Sequence, residues 1–106
     1  MTLALMEREA AQELRRRLST EVPIHELVVF GSCARGEATT ESDLDVLVVL
    51  DDLTPTLRRR ISEIAWEVGF ERGQFITTIV ATRRQLEGAL GSSPLMRNIR
   101  LEGIPV

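Results

Sequence analysis

Residues 27–50 constrain this chain more than any other stretch. An apolar run, Leu27 to Phe30, stops at Gly31-Ser32, and ten residues later Asp43-Leu44-Asp45 opens a second run, Val46 to Leu50. On an extended chain Asp43 and Asp45 leave the same face, with Cα atoms about 6–7 Å apart. That spacing lets two carboxylates grip one magnesium ion, or two ions about 3.5–4 Å apart. Gly31 opens backbone conformations that other residues avoid. If Ser32 begins a helical turn, its free N–H groups and hydroxyl face an anion. A phosphate cradle beside a paired carboxylate is equipment for handling a nucleoside triphosphate.

Competing motifs fail on chemistry. All 13 basic residues are arginine, so no lysine exists for a Walker-type phosphate loop. Gly31-Ser32-Cys33 lacks the GxGxxG of a dinucleotide fold. In a phosphotransferase with an aspartyl nucleophile the carboxylates would close an apolar strand, whereas Asp43 and Asp45 open one. A lone Asp-x-Asp pair can also simply cap a strand and keep its end soluble.

The run Gly31-Ser32, ten residues from Cys33 to Ser42, then Asp43-Leu44-Asp45 resembles the signature of the polymerase-beta-type nucleotidyltransferase superfamily. The filling CARGEATTES, with Arg35-Gly36 and Ser42 before the first aspartate, is similar to its small single-domain branch, the MNT-type minimal nucleotidyltransferases. The resemblance implies an α/β (α+β) nucleotidyltransferase fold with a small mixed sheet. It implies that Asp43 and Asp45 are the catalytic, metal-holding carboxylates, binding Mg2+ on a nucleoside triphosphate, ATP foremost. By the same carry-over Gly31 and Ser32 contact the phosphates. Arg35 has two readings, a phosphate contact or a guanidinium that holds the loop by hydrogen bonds to carbonyls. In the family a hydroxyl attacks the α-phosphorus and pyrophosphate leaves; in MNT-type members the acceptor is a HEPN-domain partner, a toxin silenced by its antitoxin.

The family's complete site carries a third carboxylate on the strand after the Asp-x-Asp helix. Here that strand, expected over 74–81, reads QFITTIVA and contains no acid. Thr77 or Thr78 stands where the acid is expected. Asp51 and Asp52 lie about 20 Å from Asp45 on an extended strand, and Glu71 could reach the site only through an unusual loop.

At 106 residues the chain is expected to form a single domain, 1–106. An apolar fraction of 43% and mixed charge mark an ordered globular protein. The net charge of −3 argues against autonomous nucleic-acid binding. The triplets Arg15–Arg17 and Arg58–Arg60 do not change that, because successive helical residues fan out by about 100°. Cys33, the single cysteine, excludes an internal disulfide and reads as a small packed side chain. MTLALMEREA meets charge too early for a signal peptide or membrane span, so a cytoplasmic protein is expected.

The pattern predicts a helix over 2–18 with Leu3, Met6, Ala10, Leu14 and Leu18 on its inner stripe. His25, before the first strand, has no second histidine or cysteine nearby and reads as a surface or capping residue. A second long helix is predicted from an N-cap at Thr54 with Pro55 behind it, to a stop at Gly69. Leu57, Ile61, Ile64, Ala65 and Val68 form its buried face. Thr82 with Gln85 is a capping box, and Ser93-Pro94 starts a last helix closed by Gly103. The resulting sheet has three strands or slightly more. Trp66 points away from the buried face, near Phe70 and Arg59. Either the C-terminal tail covers that patch, or it docks a partner or a second copy in a homo-oligomer.

Three functions follow. The chain is an active nucleotidyltransferase modifying a partner protein, or a weakened one acting as a binding subunit by protein–protein contact. The third is transfer to a small molecule such as an aminoglycoside, which calls for an added substrate-binding domain.

Overall fold

The computed structural model describes residues 3–39 and 42–106. Thr2, where the first helix is expected to begin, lies outside them, as do Thr40 and Glu41 of the motif's filling. The elements run α1 (Leu5–Ser19), β1 (Glu26–Phe30), α2 (Gly31–Arg35), β2 (Leu44–Leu50), α3 (Pro55–Arg72), β3 (Ile76–Thr82), α4 (Arg83–Glu87), α5 (Pro94–Glu102) and β4 (Ile104–Pro105), with a 3-10 turn at Ala89–Ser92.

The strands form one mixed sheet in the order β3-β2-β1-β4. β1 pairs antiparallel with β2 and β4, while β2 and β3 run parallel across the α3 crossover. A two-residue strand after Gly103 gives no alternation to read, so the fourth strand exceeds the three that periodicity indicates. It is held well: Val106 N–H donates to Leu27 O at 2.9 Å, and Arg15 donates to Val106 O at 2.7 Å. The tail therefore closes the β1 edge of the sheet. Its expected alternative position over Trp66 is overturned, because Trp66 sits by the opposite edge and remains 61% exposed.

β2 is buried on both faces, which explains its unbroken run of apolar residues. Leu44, Val46, Val48 and Leu50 meet Leu14 and Leu18 of α1 and Ile61 and Ile64 of α3. Leu47 and Val49 face the other way, onto Met96 and Ile99 of α5. Each such leucine or isoleucine contributes about 1.5–3 kcal/mol by leaving water. On α1 the buried positions are Ala10, Ala11, Leu14 and Leu18; Met6 shares their stripe but, in the first turn, stays 73% exposed. Arg16 and Arg17 both bond Glu13, and Arg17 also pairs with Glu71, tying α1 to α3. Those two arginines hold the Glu13 carboxyl at about 2, well below the usual range.

α3 starts as its sequence predicts: the Thr54 hydroxyl accepts from Leu57 N–H at 3.0 Å, with Pro55 in the first turn. It does not stop at Gly69 but runs a turn further to Gly73, whose φ is +67°. Gly69 is a glycine for a different reason, since a Cβ there would lie 2.3 Å from Gln74 O. The longer helix moves β3 to Ile76–Thr82 and puts Glu71 on α3, paired with Arg17, so no loop carries it toward Asp43. The Thr82–Gln85 capping box and the Ser93–Pro94 start of α5 form as expected. Among the described residues no helix is long and apolar enough to cross a membrane.

Candidate active site

β1 delivers the chain to Gly31, where φ turns to +73° and α2 begins at once. Phe30 is paired with Asp45 in the β1–β2 register, so the turn sits directly beside that carboxylate. A Cβ on Gly31 would lie 2.3 Å from Asp45 Oδ2. The glycine is thus required twice, by its backbone angle and by the closeness of Asp45. Ser32 follows in the first turn of α2, half-buried, with no hydrogen bond to its hydroxyl among the described residues. Cys33 is buried, and its thiol donates to Asp43 O at 3.4 Å, tying the turn to the start of β2. Burial first, then the neighbouring Glu7 carboxylate, pushes that thiol up to about 12, so it stays protonated and acts by packing.

The sheet sorts the remaining candidates by face. Asp45 is level with Thr77 and Val46 with Thr78 in the β2–β3 register. Residues level in a sheet share a face, and neighbours along a strand alternate. Asp43, Asp45 and Thr77 therefore lie on the face that carries Leu47, Val49 and α5. Thr78 lies on the α1–α3 face. The Thr77 hydroxyl donates to Asp43 Oδ2 at 3.5 Å, the long limit of a hydrogen bond. Thr77, not Thr78, shares the face of the carboxylate pair, where the family resemblance implies an acid.

Arg35 closes the turn from the outside. Its Nε donates to Glu37 and its Nη1 to Glu102 at the end of α5, both at 3.1 Å. Its partners are carboxylates, not the carbonyls expected for a loop-holding arginine. Glu102 is 67 residues away in sequence, so no local pattern could have shown it.

Asp45 is the electrostatically strained member. Burial raises its carboxyl above the ordinary range, the Asp43 charge raises it further, and Arg35 offsets part of this. Two carboxylates without a cation between them favour a bound cation. The donor set here is two carboxylates and a threonine hydroxyl, all hard oxygens. Magnesium accepts such a partial shell and completes it with water and phosphate oxygens. The residues therefore fit one such ion; no cluster of three or more His, Cys, Asp or Glu exists among the described residues.

One stability consequence follows from the raised Asp45 carboxyl. A carboxyl whose folded pKa lies above its unfolded value costs stability when ionised, and the cost disappears as pH falls through the folded pKa. Asp45→Asn is therefore expected to raise the melting temperature of the nucleotide-free protein at neutral pH while abolishing stabilisation by magnesium nucleotide. Scanning fluorimetry with and without ligand checks both; a lower melting temperature without ligand contradicts the assignment of Asp45 as a strained group.

Comparison with known proteins bears on the family and the fold. A family model described as nucleotidyltransferase domain matches residues 11–100. The bifunctional uridylyltransferase/uridylyl-removing enzyme of Burkholderia vietnamiensis is 40% identical over 57 residues, covering 50% of this chain and 7% of that enzyme. The chain thus spans a small fraction of that relative's length. Among solved structures, a toxin–antitoxin with AMP-PNP superposes with a TM-score of 0.66 at 21% identity, over 90% of this chain and 70% of the other. A tri-AMPylated Shewanella oneidensis HEPN toxin in complex with MNT antitoxin gives 0.59 at 16% identity, over 93% and 70%. At those identities the likeness is one of fold. The family match spans most of the chain and contains every residue of the turn and the carboxylate pair: this chain belongs to the nucleotidyltransferase domain family.

Proposed function

We propose that the protein binds a magnesium-complexed nucleoside triphosphate, ATP foremost, and transfers its nucleotidyl group to a hydroxyl of a HEPN-type partner, acting as its antitoxin in the cytoplasm. The observation that carries this reading is the contact-distance fit of the Gly31 turn over Asp45. Gly31 lies against Asp45 and Ser32 follows it, so in this reading the N–H groups that would face the phosphates stand beside a carboxylate that would hold the metal. The solved relatives that contain AMP-PNP or an AMPylated HEPN toxin support the choice of adenine nucleotide and partner.

In this reading Ser32 N–H and its hydroxyl orient the phosphate chain, and Asp43, positioned by Thr77, holds the metal together with Asp45. Bound magnesium would neutralise phosphate charge and favour pyrophosphate as leaving group. The acceptor oxygen bonds to the α-phosphorus as the bond to the β-bridging oxygen breaks, and pyrophosphate departs with that electron pair. The hydroxyl proton needs a base, and the described residues place no third carboxylate near Asp43. Thr77 in that place favours a second reading: a nucleotide-binding subunit that silences its partner by contact. The third function, transfer to an aminoglycoside-like molecule, gains no support from the site.

Saturating MgATP is expected to stabilise the fold by about 2.7 kcal/mol when present at 100 times its dissociation constant. Calorimetry showing no heat, together with an unchanged melting temperature, contradicts the site. With α-labelled ATP and a co-purified HEPN-type partner, label on the partner supports transfer. Binding without label supports silencing by contact.

A further inference from the structure

The chain has four aromatic residues, and three of them, Trp66, Phe70 and Phe75, stand 61%, 74% and 75% exposed along one side of the molecule. Trp66 and Phe70 stack with ring centroids 5.3 Å apart. They line a cleft that continues past Ser62 into a second one walled by Arg58 and Arg59. Together the two clefts make one furrow along α3. It is aromatic at one end and cationic at the other, and neither arginine has an ion pair among the described residues. Beside the furrow runs β3, the terminal strand of the sheet. No backbone hydrogen bond reaches its outer edge among the described residues. Edge strands are ordinarily guarded by charge, proline or a bulge. The seven residues ITTIVAT contain no charge, proline or glycine.

We infer that this side is the interface of a symmetric homodimer, formed by antiparallel pairing of β3 with β3 of a second copy. This goes beyond the nucleotide reading and does not depend on it. The geometry is self-complementary. Gly69 lies level with Ile76, since a Cβ there would be 3.5 Å from Ile76 N. A two-fold axis at Ile79, the middle of β3, is about 10 Å further along the strand. Because α3 runs opposite to β3, that height corresponds to about seven residues back along the helix, at Ser62. The axis keeps both copies of α3 on the same side of the joined sheet, antiparallel to each other. Trp66 lies four residues after Ser62, and Arg58 and Arg59 lie four and three before it. The guanidinium end of each furrow thus meets the indole end of the other, a cation–π match.

The area is adequate. Aromatic side chains bury about 150–250 Å² each when covered, so at these exposures the three rings supply roughly 300–500 Å². A stable interface takes about 800 Å² from each partner, and the strand edge with the rest of the furrow supplies the balance.

Trp66 is the single tryptophan, so its emission reports on the interface directly. The purified chain is expected to sediment at twice 11.9 kDa at micromolar concentration and to dissociate on dilution. Trp66 emission should shift to the red in step with dissociation. Trp66→Ala, and separately the pair Arg58→Glu with Arg59→Glu, should each weaken association by about thirtyfold or more. Since all three side chains are exposed, melting of the dilute protein should hardly change. A chain that stays monomeric at millimolar concentration overturns the inference, including the case where a HEPN-type protein fills the furrow instead. So does a dimer that leaves Trp66 emission unchanged or survives both variants.

Discussion

Thr77→Asp is expected to raise nucleotidyl transfer to a HEPN-type partner by about 10²–10⁴, the usual worth of a positioned general base. The same change at Thr78 should give no gain. Thr77 is level with Asp45 and its hydroxyl reaches Asp43 Oδ2, so a carboxylate there joins the pair on the same face. It can accept the acceptor's proton and ligate a second metal ion, which acts on the transition state more than on ground-state binding. Affinity for MgATP should therefore change little while transfer rises. Three close carboxylates repel, so the variant should melt lower without magnesium and recover with it. Thr78 is level with Val46 on the α1–α3 face, half-buried against the core. A carboxylate there loses hydration without a partner, so Thr78→Asp should lower melting under all conditions. Labelled-ATP transfer and melting curves on both variants decide the matter. If the unmodified protein already transfers at ordinary enzymatic rates, about 1–10³ per second, the missing acid is irrelevant and the expectation fails.

The parts of this site legible in the sequence are those fixed by local chemistry. Gly31-Ser32 and Asp43-Leu44-Asp45 announce a turn and a same-face pair because two-residue periodicity and glycine's conformational freedom act over a few residues. Thr54-Pro55, Thr82 with Gln85, and Ser93-Pro94 locate three helix starts for the same reason. What was hidden depends on contacts between distant segments. Gly69 reads as a helix stop, and only the approach of Gln74 O shows that it is a packing glycine inside a longer helix. The β4 strand is two residues long, too short for any pattern; it pairs with Val28 and Val29 of β1, and Arg15 anchors Val106 just beyond it across 91 residues. The choice between Thr77 and Thr78 needed the strand register. Arg35 presents the same limit: its ties to Glu37 and Glu102 are visible only once α5 has folded back beside α2.

Gly31→Ala should both destabilise the protein and erase its response to MgATP, and a comparison with Gly36→Ala separates the causes. The two glycines have nearly identical backbone angles, φ +73° and +74°, at opposite ends of α2. For any residue with a Cβ that conformation costs about 1–2 kcal/mol. A Cβ at Gly36 would meet nothing within 4 Å, so its alanine variant should lose only that amount and keep the MgATP shift. At Gly31 the added carbon would sit 2.3 Å from Asp45 Oδ2, so the carboxylate or the turn must move. The extra loss, and the displacement of the carboxylate proposed to hold the metal, are then specific to Gly31. A double-mutant cycle isolates the clash. In an Asp45→Ala background the colliding oxygen is gone, and Gly31→Ala should cost no more than Gly36→Ala does. Melting temperatures of the cycle's proteins and of Gly36→Ala, with and without MgATP, provide the measurement. Should Gly31→Ala match Gly36→Ala in the unmodified background and retain the nucleotide shift, Gly31 is an ordinary turn glycine. The phosphate chain would then have to bind away from Asp45.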